Sequence, residues 1–282
     1  MVDLVLLRCH RDPALCRERL ALLGALAPEA ARHAVFGGAE QDLAEFRQGL
    51  GDAVVSCVGV PGRAQRWKWL HGDLVLLDWY RAHGRHLKFD RLIFWEWDLL
   101  ALAPLAELYR RVPAGAVAVT GLAPLDDVLP RWSWSRSAAW RRGWDDLRTQ
   151  LQADHGFAGP YRASQGPGLC LPRAFLDRYA AAAPPAWAHD EVRLPAYAAA
   201  LGFPLVDTGW MRAWHDPAEA ALFNCDSQDI TPEVIAEQLA QPRGRRVFHP
   251  VRGSFPWREA LDFLAARPSS PSSNRSSTGE AA

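Results

Sequence analysis

The first 120 residues alternate between short apolar runs and stretches with helical periodicity. Residues 2–7 are apolar apart from Asp3, and Asp12-Pro13 then opens a pattern with leucine at positions 15, 20, 23 and 26. Further strands are predicted at 32–36, 53–57, 90–95 and 116–120, with helices around 42–48, within 62–82 and at 103–111. This alternation predicts an α/β fold with a parallel sheet covered by helices.

The second half of the chain is less regular. A Trp- and Arg-rich segment covers 131–148, and two strand-like pieces within 159–171 are separated by Gly166-Pro167-Gly168. Helices are predicted at 172–182 and 191–201, and late strands at 204–207 and 246–249. From residue 268 the chain has six serines and nothing apolar larger than alanine. We therefore predict one folded domain over 1–267 and a disordered tail over 268–282.

Composition narrows the class of protein. The 282 residues carry 32 Lys and Arg against 32 Asp and Glu, so no electrostatic attraction to nucleic acid is expected. Five scattered cysteines without a CxxC spacing indicate reduced thiols. The sequence shows no signal-peptide pattern at its start and no apolar run of 18 residues, which predicts a cytoplasmic protein without a transmembrane segment.

Two carboxylates flank a tryptophan directly after the strand predicted at 90–95, in the triplet Glu96-Trp97-Asp98. Ligands of open α/β sheets bind outside the carboxyl ends of the strands, so the triplet is predicted to face a site. Residues i and i+2 of an extended chain point to the same side, which allows Glu96 and Asp98 to share one Mg²⁺ or Mn²⁺ ion. The alternative is that Asp98 caps a following helix and Glu96 is solvated.

Two histidine-containing segments follow later in the chain. In His189-Asp190-Glu191, Asp190 is suited to cap the next helix with Glu191 in its first turn, or one of the two carboxylates is a general base. His249, in the sequence FHPVR, is either a structural histidine or a metal ligand. The residue types alone leave these alternatives open.

The loop after the first strand, Arg8-Cys9-His10-Arg11-Asp12, lies where nucleotides commonly dock in α/β folds. Arg8 and Arg11 suit phosphate or the carbonyl groups of a base, and Asp12 suits a helix cap. The sequence contains no GxGxxG, GxxxxGK[ST], GxSxG or HExxH motif, which disfavours dinucleotide-binding, P-loop, serine-hydrolase and zincin classes.

In their order along the chain, these features resemble those of glycosyltransferases with the GT-A fold. Glu96-Trp97-Asp98 looks like a divergent DxD motif in which Glu replaces the first Asp. The resemblance implies that Asp98 binds the metal, that Glu96 binds the metal or the ribose, and that His249 completes the metal shell. It places the nucleotide sugar at Arg8, His10, Arg11, Glu96 and Trp97.

The resemblance also implies a GT-A-like single domain, with a mostly parallel central sheet flanked by helices. The pair Asp190-Glu191 resembles the acidic pair that supplies the catalytic base of inverting members. Glu191 is favoured as the base because Asp190 has the better capping position. The implied activity is hexosyltransferase-like and inverting: with Mn²⁺ or Mg²⁺, a sugar passes from a nucleotide diphosphate sugar to an acceptor hydroxyl.

Two other classes of function use some of the same residues. A metal-dependent nucleotidyltransferase or phosphohydrolase needs the acidic strand end but no acceptor sugar. A non-catalytic carbohydrate-binding protein accounts for the 13 tryptophans but not for the strand end. Four of these rings form either an acceptor wall or mobile flap, or a helical packing face: Trp132, Trp134, Trp140 and Trp144.

Overall fold

The computed structural model describes residues 1–225 and 228–266. Its strands, in chain order, are β1 (Asp3–Cys9), β2 (Ala31–Phe36), β3 (Ser56–Gly59), β4 (Arg91–Glu96), β5 (Leu100–Ala101), β6 (Val117–Pro124), β7 (Arg162–Pro172), β8 (Leu205–Asp207) and β9 (Val247–Phe248). Within these ranges, seven strands form one sheet in the order β3-β2-β1-β4-β7-β6-β8. Strand β7 runs antiparallel to both of its neighbours, and the other four pairings are parallel. The predicted α/β class with a mostly parallel central sheet is confirmed.

Helices cover the sheet and follow the predicted alternation in the first half of the chain. The α-helices are α1 (Pro13–Leu26), α2 (Leu43–Leu50), α3 (Gln65–Leu70), α4 (Gly72–Ala82), α5 (Leu105–Leu108), α6 (Leu125–Val128), α7 (Ala138–His155), α8 (Arg173–Ala182), α9 (Asp190–Ala200), α10 (Pro217–Ala220), α11 (Pro232–Ala240) and α12 (Trp257–Ala265). No helix in the described ranges has the length and apolarity needed to cross a bilayer.

The apolar pattern of β1 explains why it lies inside the sheet. Val5, Leu7 and Cys9 pack into one buried cluster, and Leu4 and Leu6 pack into the cluster on the other face. A strand buried on both faces needs a continuous apolar run, as parallel strands commonly have. After β1, the Asp12 side chain accepts from the Leu15 backbone N–H at 2.9 Å and so caps α1, as predicted.

Three local predictions are wrong. The helical stretch predicted within 62–82 is divided into α3 and α4 at His71, whose φ of −131° and ψ of 55° are not helical. Asp98 does not cap a helix, because the two-residue strand β5 follows it. The two strand-like pieces predicted within 159–171 form one continuous strand, β7. Between the paired positions Thr120–Gln165 and Ala118–Cys170, β7 has more residues than its antiparallel partner β6. The extra residues form an irregularity that contains Gly166-Pro167-Gly168.

A small second sheet brings the C-terminal part of the described chain to the end of β4. Leu100 of β5 pairs with Phe248 of β9, and the Val251 N–H donates to the Asp98 carbonyl oxygen at 2.8 Å. These contacts bring residues about 150 positions apart into one site. The predicted tail over 268–282 lies outside the described residues, so the domain boundary at 267 stays a prediction.

Candidate active site

A cleft of about 610 Å³ opens at the carboxyl ends of β1 and β4. The topology places the predicted residues of both halves of the chain along this cleft, as the switch-point rule for α/β sheets requires. The sequence-predicted site residues that line it are Arg8, His10, Arg11, Glu96, Trp97, Asp98, Asp190, Glu191 and His249. One cleft therefore contains every residue that the sequence analysis singled out as a site residue.

Glu96 forms an ion pair with Arg8. Arg8 and Glu96 are register partners at the ends of neighbouring parallel strands, and Arg8 Nη1 lies 3.0 Å from Glu96 Oε1. Arg8 Nη2 also donates to the carbonyl oxygens of Lys68 (3.2 Å) and Trp69 (3.0 Å). Burial raises the pKa of Glu96, and Arg8 offsets part of that increase. The pair ties the segment before α4 to the strand ends.

Asp98 contacts His249 and Arg252. Asp98 Oδ1 lies 3.3 Å from His249 Nε2, and Asp98 Oδ2 lies 3.5 Å from Arg252 Nε. Burial alone raises the pKa of a carboxyl group, but His249 and Arg252 outweigh it and lower the pKa of Asp98. Burial likewise lowers the pKa of His249, yet Asp98 raises it above the ordinary value.

The tautomer of His249 follows from its other ring nitrogen. Nδ1 lies 2.5 Å from the carbonyl oxygen of Asn224, which can only accept, so Nδ1 carries a proton. Nε2 therefore faces Asp98 as an N–H when the ring is charged and as a lone pair when the ring is neutral. Among residues 1–225 and 228–266, no group of three or more His, Cys, Asp and Glu side chains is arranged for a metal ion, so Glu96 does not join Asp98 and His249 in such a group.

The loop after β1 forms an aromatic and cationic side of the cleft. The Trp97 ring is buried, and Arg11 lies over it with the guanidinium carbon 4.6 Å from the ring centroid. His10 meets the same ring edge-on at a centroid distance of 5.3 Å. Burial, with Arg8 and Arg11 nearby, lowers the pKa of His10 to about 4, so this ring is neutral at neutral pH.

The capping role considered for Asp190 is wrong. His189 is the N-cap residue of α9, and Asp190 is its first helical residue. Asp190 Oδ2 accepts from the Gly72 N–H at 2.8 Å, and Asp190 Oδ1 lies 2.8 Å from His189 Nδ1. Burial raises the pKa of a carboxyl group, but His189, Arg8 and Arg193 hold the pKa of Asp190 well below its ordinary value.

Glu191 has the opposite electrostatic character. It is 6% exposed, and burial raises its pKa to about 7, although His189 and hydrogen bonds from the Trp132 side chain and the Gly166 backbone lower it in part. Its Oε2 lies 3.6 Å from His189 Nδ1. A carboxyl group that titrates near neutrality is suited to take a proton.

Two tryptophans of the 131–148 segment line the cleft, and two others pack in the core. Trp132 and Trp134 line the cleft, and Trp134 stacks on His189 with ring centroids 4.8 Å apart. Trp140 and Trp144 are buried on α7 and stack on each other at 6.1 Å and 16°. The first two rings thus form a wall of the cleft, and the second two form a packing face.

The sequence analysis did not name two basic residues, Arg252 and His189, as site residues, although both contact predicted carboxylates of the cleft. Arg252 lies three positions after His249, but only the fold shows that it faces Asp98. His189 stands next to the acidic pair in the sequence, and its effect on both carboxylates depends on its ring orientation. The motifs FHPVR and His189-Asp190-Glu191 contain both residues, so their proximity in sequence was the available signal.

No model of a known protein family and no curated protein matches this chain. Among solved structures it is similar to mouse xyloside xylosyltransferase 1 in its apo form, at 14% identity and a TM-score of 0.36, over 74% of this chain and 87% of that one. It is also similar to the galactosyltransferase LgtC in complex with donor and acceptor sugar analogs, at 11% identity and a TM-score of 0.40, over 78% and 82%.

A third similar structure is glucosyl-3-phosphoglycerate synthase from Mycobacterium tuberculosis in complex with Mn²⁺, uridine diphosphate and glucosyl-3-phosphoglycerate. The identity is 15% and the TM-score 0.32, over 62% of this chain and 57% of that one. With TM-scores between 0.32 and 0.40, these likenesses carry no argument about an activity or about a residue of the cleft. The case for an activity therefore rests on the side chains themselves.

Proposed function

We propose that this protein transfers a sugar from a nucleoside diphosphate sugar to an acceptor hydroxyl, with a divalent cation held by Asp98 and His249. The observation that supports this best is the arrangement of those two residues. A carboxylate oxygen and the Nε2 of an imidazole ring, whose Nδ1 is committed to the Asn224 carbonyl, lie 3.3 Å apart at the carboxyl ends of the sheet.

The donor set fits a divalent cation. Carboxylate oxygens suit Mg²⁺ and Mn²⁺, and the imidazole nitrogen favours Mn²⁺ of the two. Two protein ligands leave room for phosphate oxygens, which is how such cations commonly bind nucleotides. When bound, the cation supplies positive charge that neutralises the diphosphate leaving group.

Cationic and aromatic groups beside this pair suit the rest of the donor. Arg11 and Trp97 stack at the edge of the cleft, and Arg252 extends the positive charge around Asp98. Arg8 and Glu96 neutralise each other, and in this proposal they shape the nucleotide side of the cleft together with His10. Guanidinium groups that face the developing phosphate charge stabilise the departure of the leaving group.

Glu191 is the general base of the proposed reaction. The acceptor O–H bond breaks, its proton passes to a Glu191 carboxylate oxygen, and the acceptor oxygen bonds to C1 of the donor sugar. The bond from C1 to the phosphate oxygen breaks, and its electron pair leaves with the nucleoside diphosphate. Glu191 suits this role because its pKa is about 7, whereas His189, Arg8 and Arg193 hold the pKa of Asp190 well below its ordinary value. Attack opposite the leaving group inverts the anomeric centre.

Thermal shifts with a panel of nucleoside diphosphates, with and without Mn²⁺, test the proposal. We expect the melting temperature to rise with one of them only when Mn²⁺ is present. The corresponding nucleotide sugars are then screened for transfer to glycoside acceptors. Breakdown of a nucleotide with no need of an acceptor would indicate a nucleotidyltransferase or phosphohydrolase. Stabilisation by sugars alone would indicate a carbohydrate-binding protein.

A further inference from the structure

His189 occupies a central place in the cleft that the proposed reaction does not use. The Trp134 ring stacks on its imidazole, and carboxylate oxygens of Asp190 and Glu191 lie 2.8 and 3.6 Å from its Nδ1. Only 11% of its side chain is exposed. A titratable ring that contacts both the acidic pair and the aromatic wall can couple the two.

The backbone before His189 is held rigidly. Arg193, which is fully buried, donates from Nη1 to the carbonyl oxygens of Trp187 (2.9 Å) and Ala188 (3.0 Å). Ala188 has a φ of +56°, a left-handed conformation that is unfavourable for alanine and must be stabilised by its surroundings. Asp73 binds the same guanidinium through both carboxylate oxygens. The buried ion pair between Arg193 and Asp73 therefore holds the backbone that precedes His189.

The ring of His189 is fixed from the side by Asp190. Nδ1 lies 2.8 Å from an Asp190 carboxylate oxygen and 3.3 Å from the Glu191 N–H. The shorter contact joins it to an atom that can only accept, so Nδ1 carries a proton, and its contact with the Glu191 N–H is then not a hydrogen bond. The other oxygen of Asp190 accepts from the Gly72 N–H. A side chain at Gly72 would place its Cβ 2.9 Å from that oxygen and 2.1 Å from Arg8 Nη1, so glycine is needed for this approach. Asp190 is thus clamped between α4 and His189.

We propose that His189 is a positioning residue of the transfer site, where it holds a positive charge beside the Glu191 carboxylate and supports the Trp134 ring as acceptor wall. This inference rests on the proposed function. The assignment makes Asp190 the partner that orients His189, and it leaves Glu191 as the group that takes the proton from the acceptor.

The charges around the ring determine the direction of the effect. Burial lowers the pKa of His189, but Asp190 and Glu191 raise it above the ordinary value, and Arg193 lowers it in part. His71, another titratable ring whose pKa is affected by His189, has its own pKa lowered to about 4 by burial and is neutral. The His189 charge in turn lowers the pKa of Glu191. Removal of that charge should leave Glu191 protonated up to a higher pH.

Two variants separate the charge of His189 from its ring. H189F keeps a flat ring against Trp134 and removes the charge, whereas H189Q keeps a hydrogen-bond donor for Asp190 and removes both ring and charge. We expect the acidic limb of the kcat/KM profile to move to higher pH in both variants, so that activity falls severalfold at pH 7 and recovers at about pH 9. Only H189Q should also raise the KM for the acceptor. An equal loss of activity at every pH in both variants would overturn the inference.

A titration of the His189 ring by NMR, assigned with H189Q, tests the inference without measuring transfer. In the wild-type protein the ring should titrate above about 6.5, and in D190N its pKa should fall. A wild-type pKa at or below the ordinary value, or one that D190N leaves unchanged, would overturn the inference even if the protein transfers sugar. Failure of the proposed function is recognised separately, by the absence of Mn²⁺-dependent stabilisation by nucleoside diphosphates.

Discussion

The cleft contains two histidine–carboxylate pairs of the same composition and opposite orientation. The Nδ1–H of His249 donates to the carbonyl oxygen of Asn224, and its Nε2 faces Asp98. In His189, Nδ1 itself faces Asp190. The first pair can present an oxygen and a nitrogen lone pair to one cation. In the second pair the protonated Nδ1 donates to the carboxylate, so this nitrogen has no lone pair for a cation. Under the proposed function, the ring nitrogen that faces the carboxylate, and not the residue type, determines which of the two pairs binds the cation.

Among substitutions in the two pairs, we expect the largest loss of transfer activity at Asp98. D98N should reduce transfer by more than about 100-fold, because even groups that only support a metal ligand are worth about 10–100-fold. The fold should persist, since the Val251 N–H binds the Asp98 backbone carbonyl and not the side chain. Transfer rates and melting temperatures are compared with those of D52N, which alters a carboxylate that is 96% exposed. Wild-type activity of D98N in excess EDTA would contradict the metal assignment.

Substitution of the two acidic residues of α9 should lower turnover to different extents. E191Q should lower turnover by about 10²–10⁴-fold, because an amide cannot accept the proton, while Mn²⁺-dependent binding of nucleoside diphosphate persists. D190N should have a smaller effect, since its oxygens position Gly72 and His189. Steady-state kinetics and thermal shifts on both variants measure this. Near-normal transfer in E191Q would require the base to be sought elsewhere or a retaining mechanism.

A smaller effect is expected at His249, one ligand among several. H249A should weaken Mn²⁺-dependent nucleotide binding by about 10–100-fold. Calorimetry with Mn²⁺ in excess measures the nucleotide affinity, and a titration with Mn²⁺ measures the metal affinity. The matched variant is H189Q, which should leave the Mn²⁺ affinity unchanged because His189 is not one of the two proposed metal ligands. Equal Mn²⁺ affinity in H249A and wild type would return His249 to a structural role.

The smallest effect is expected from deletion of residues 268–282. Nothing in their sequence can pack into a core, so melting temperature and activity should both stay unchanged. The deletion also tests that neither histidine pair depends on this segment. A loss of several degrees would show that it contributes to the fold.

The sequence predicted the parts of the site that depend on local pattern. The apolar run before Arg8 and the apolar run before Glu96 place both residues at strand ends, and the parallel register brings them together. The pairing itself was not predictable, because a motif does not show which carboxylate an arginine of a neighbouring strand will reach. For the same reason Glu96 and Asp98, two positions apart, were expected at one cation, although the structure turns them to different partners.

Prediction was weakest where long-range contacts decide the conformation. The break between α3 and α4 lies next to Gly72, which closely approaches Arg8 and Asp190, two residues far away in sequence. The role of His189 as N-cap of α9 depends on Arg193, which holds the preceding carbonyl groups. Helical periodicity and capping preferences describe one segment at a time, so neither can anticipate these constraints.

The short ladder between β5 and β9 also has a consequence for the order of folding. Asp98 leaves the ribosome about 150 residues before His249, so a nascent chain can complete most of the central sheet while the candidate metal pair still lacks its imidazole. Closing a contact of such separation has a large entropic cost and is a late event in folding. Under the proposed function, metal affinity would therefore appear only after this late contact has formed, which would limit capture of cations by chains in which His249 has not yet been made.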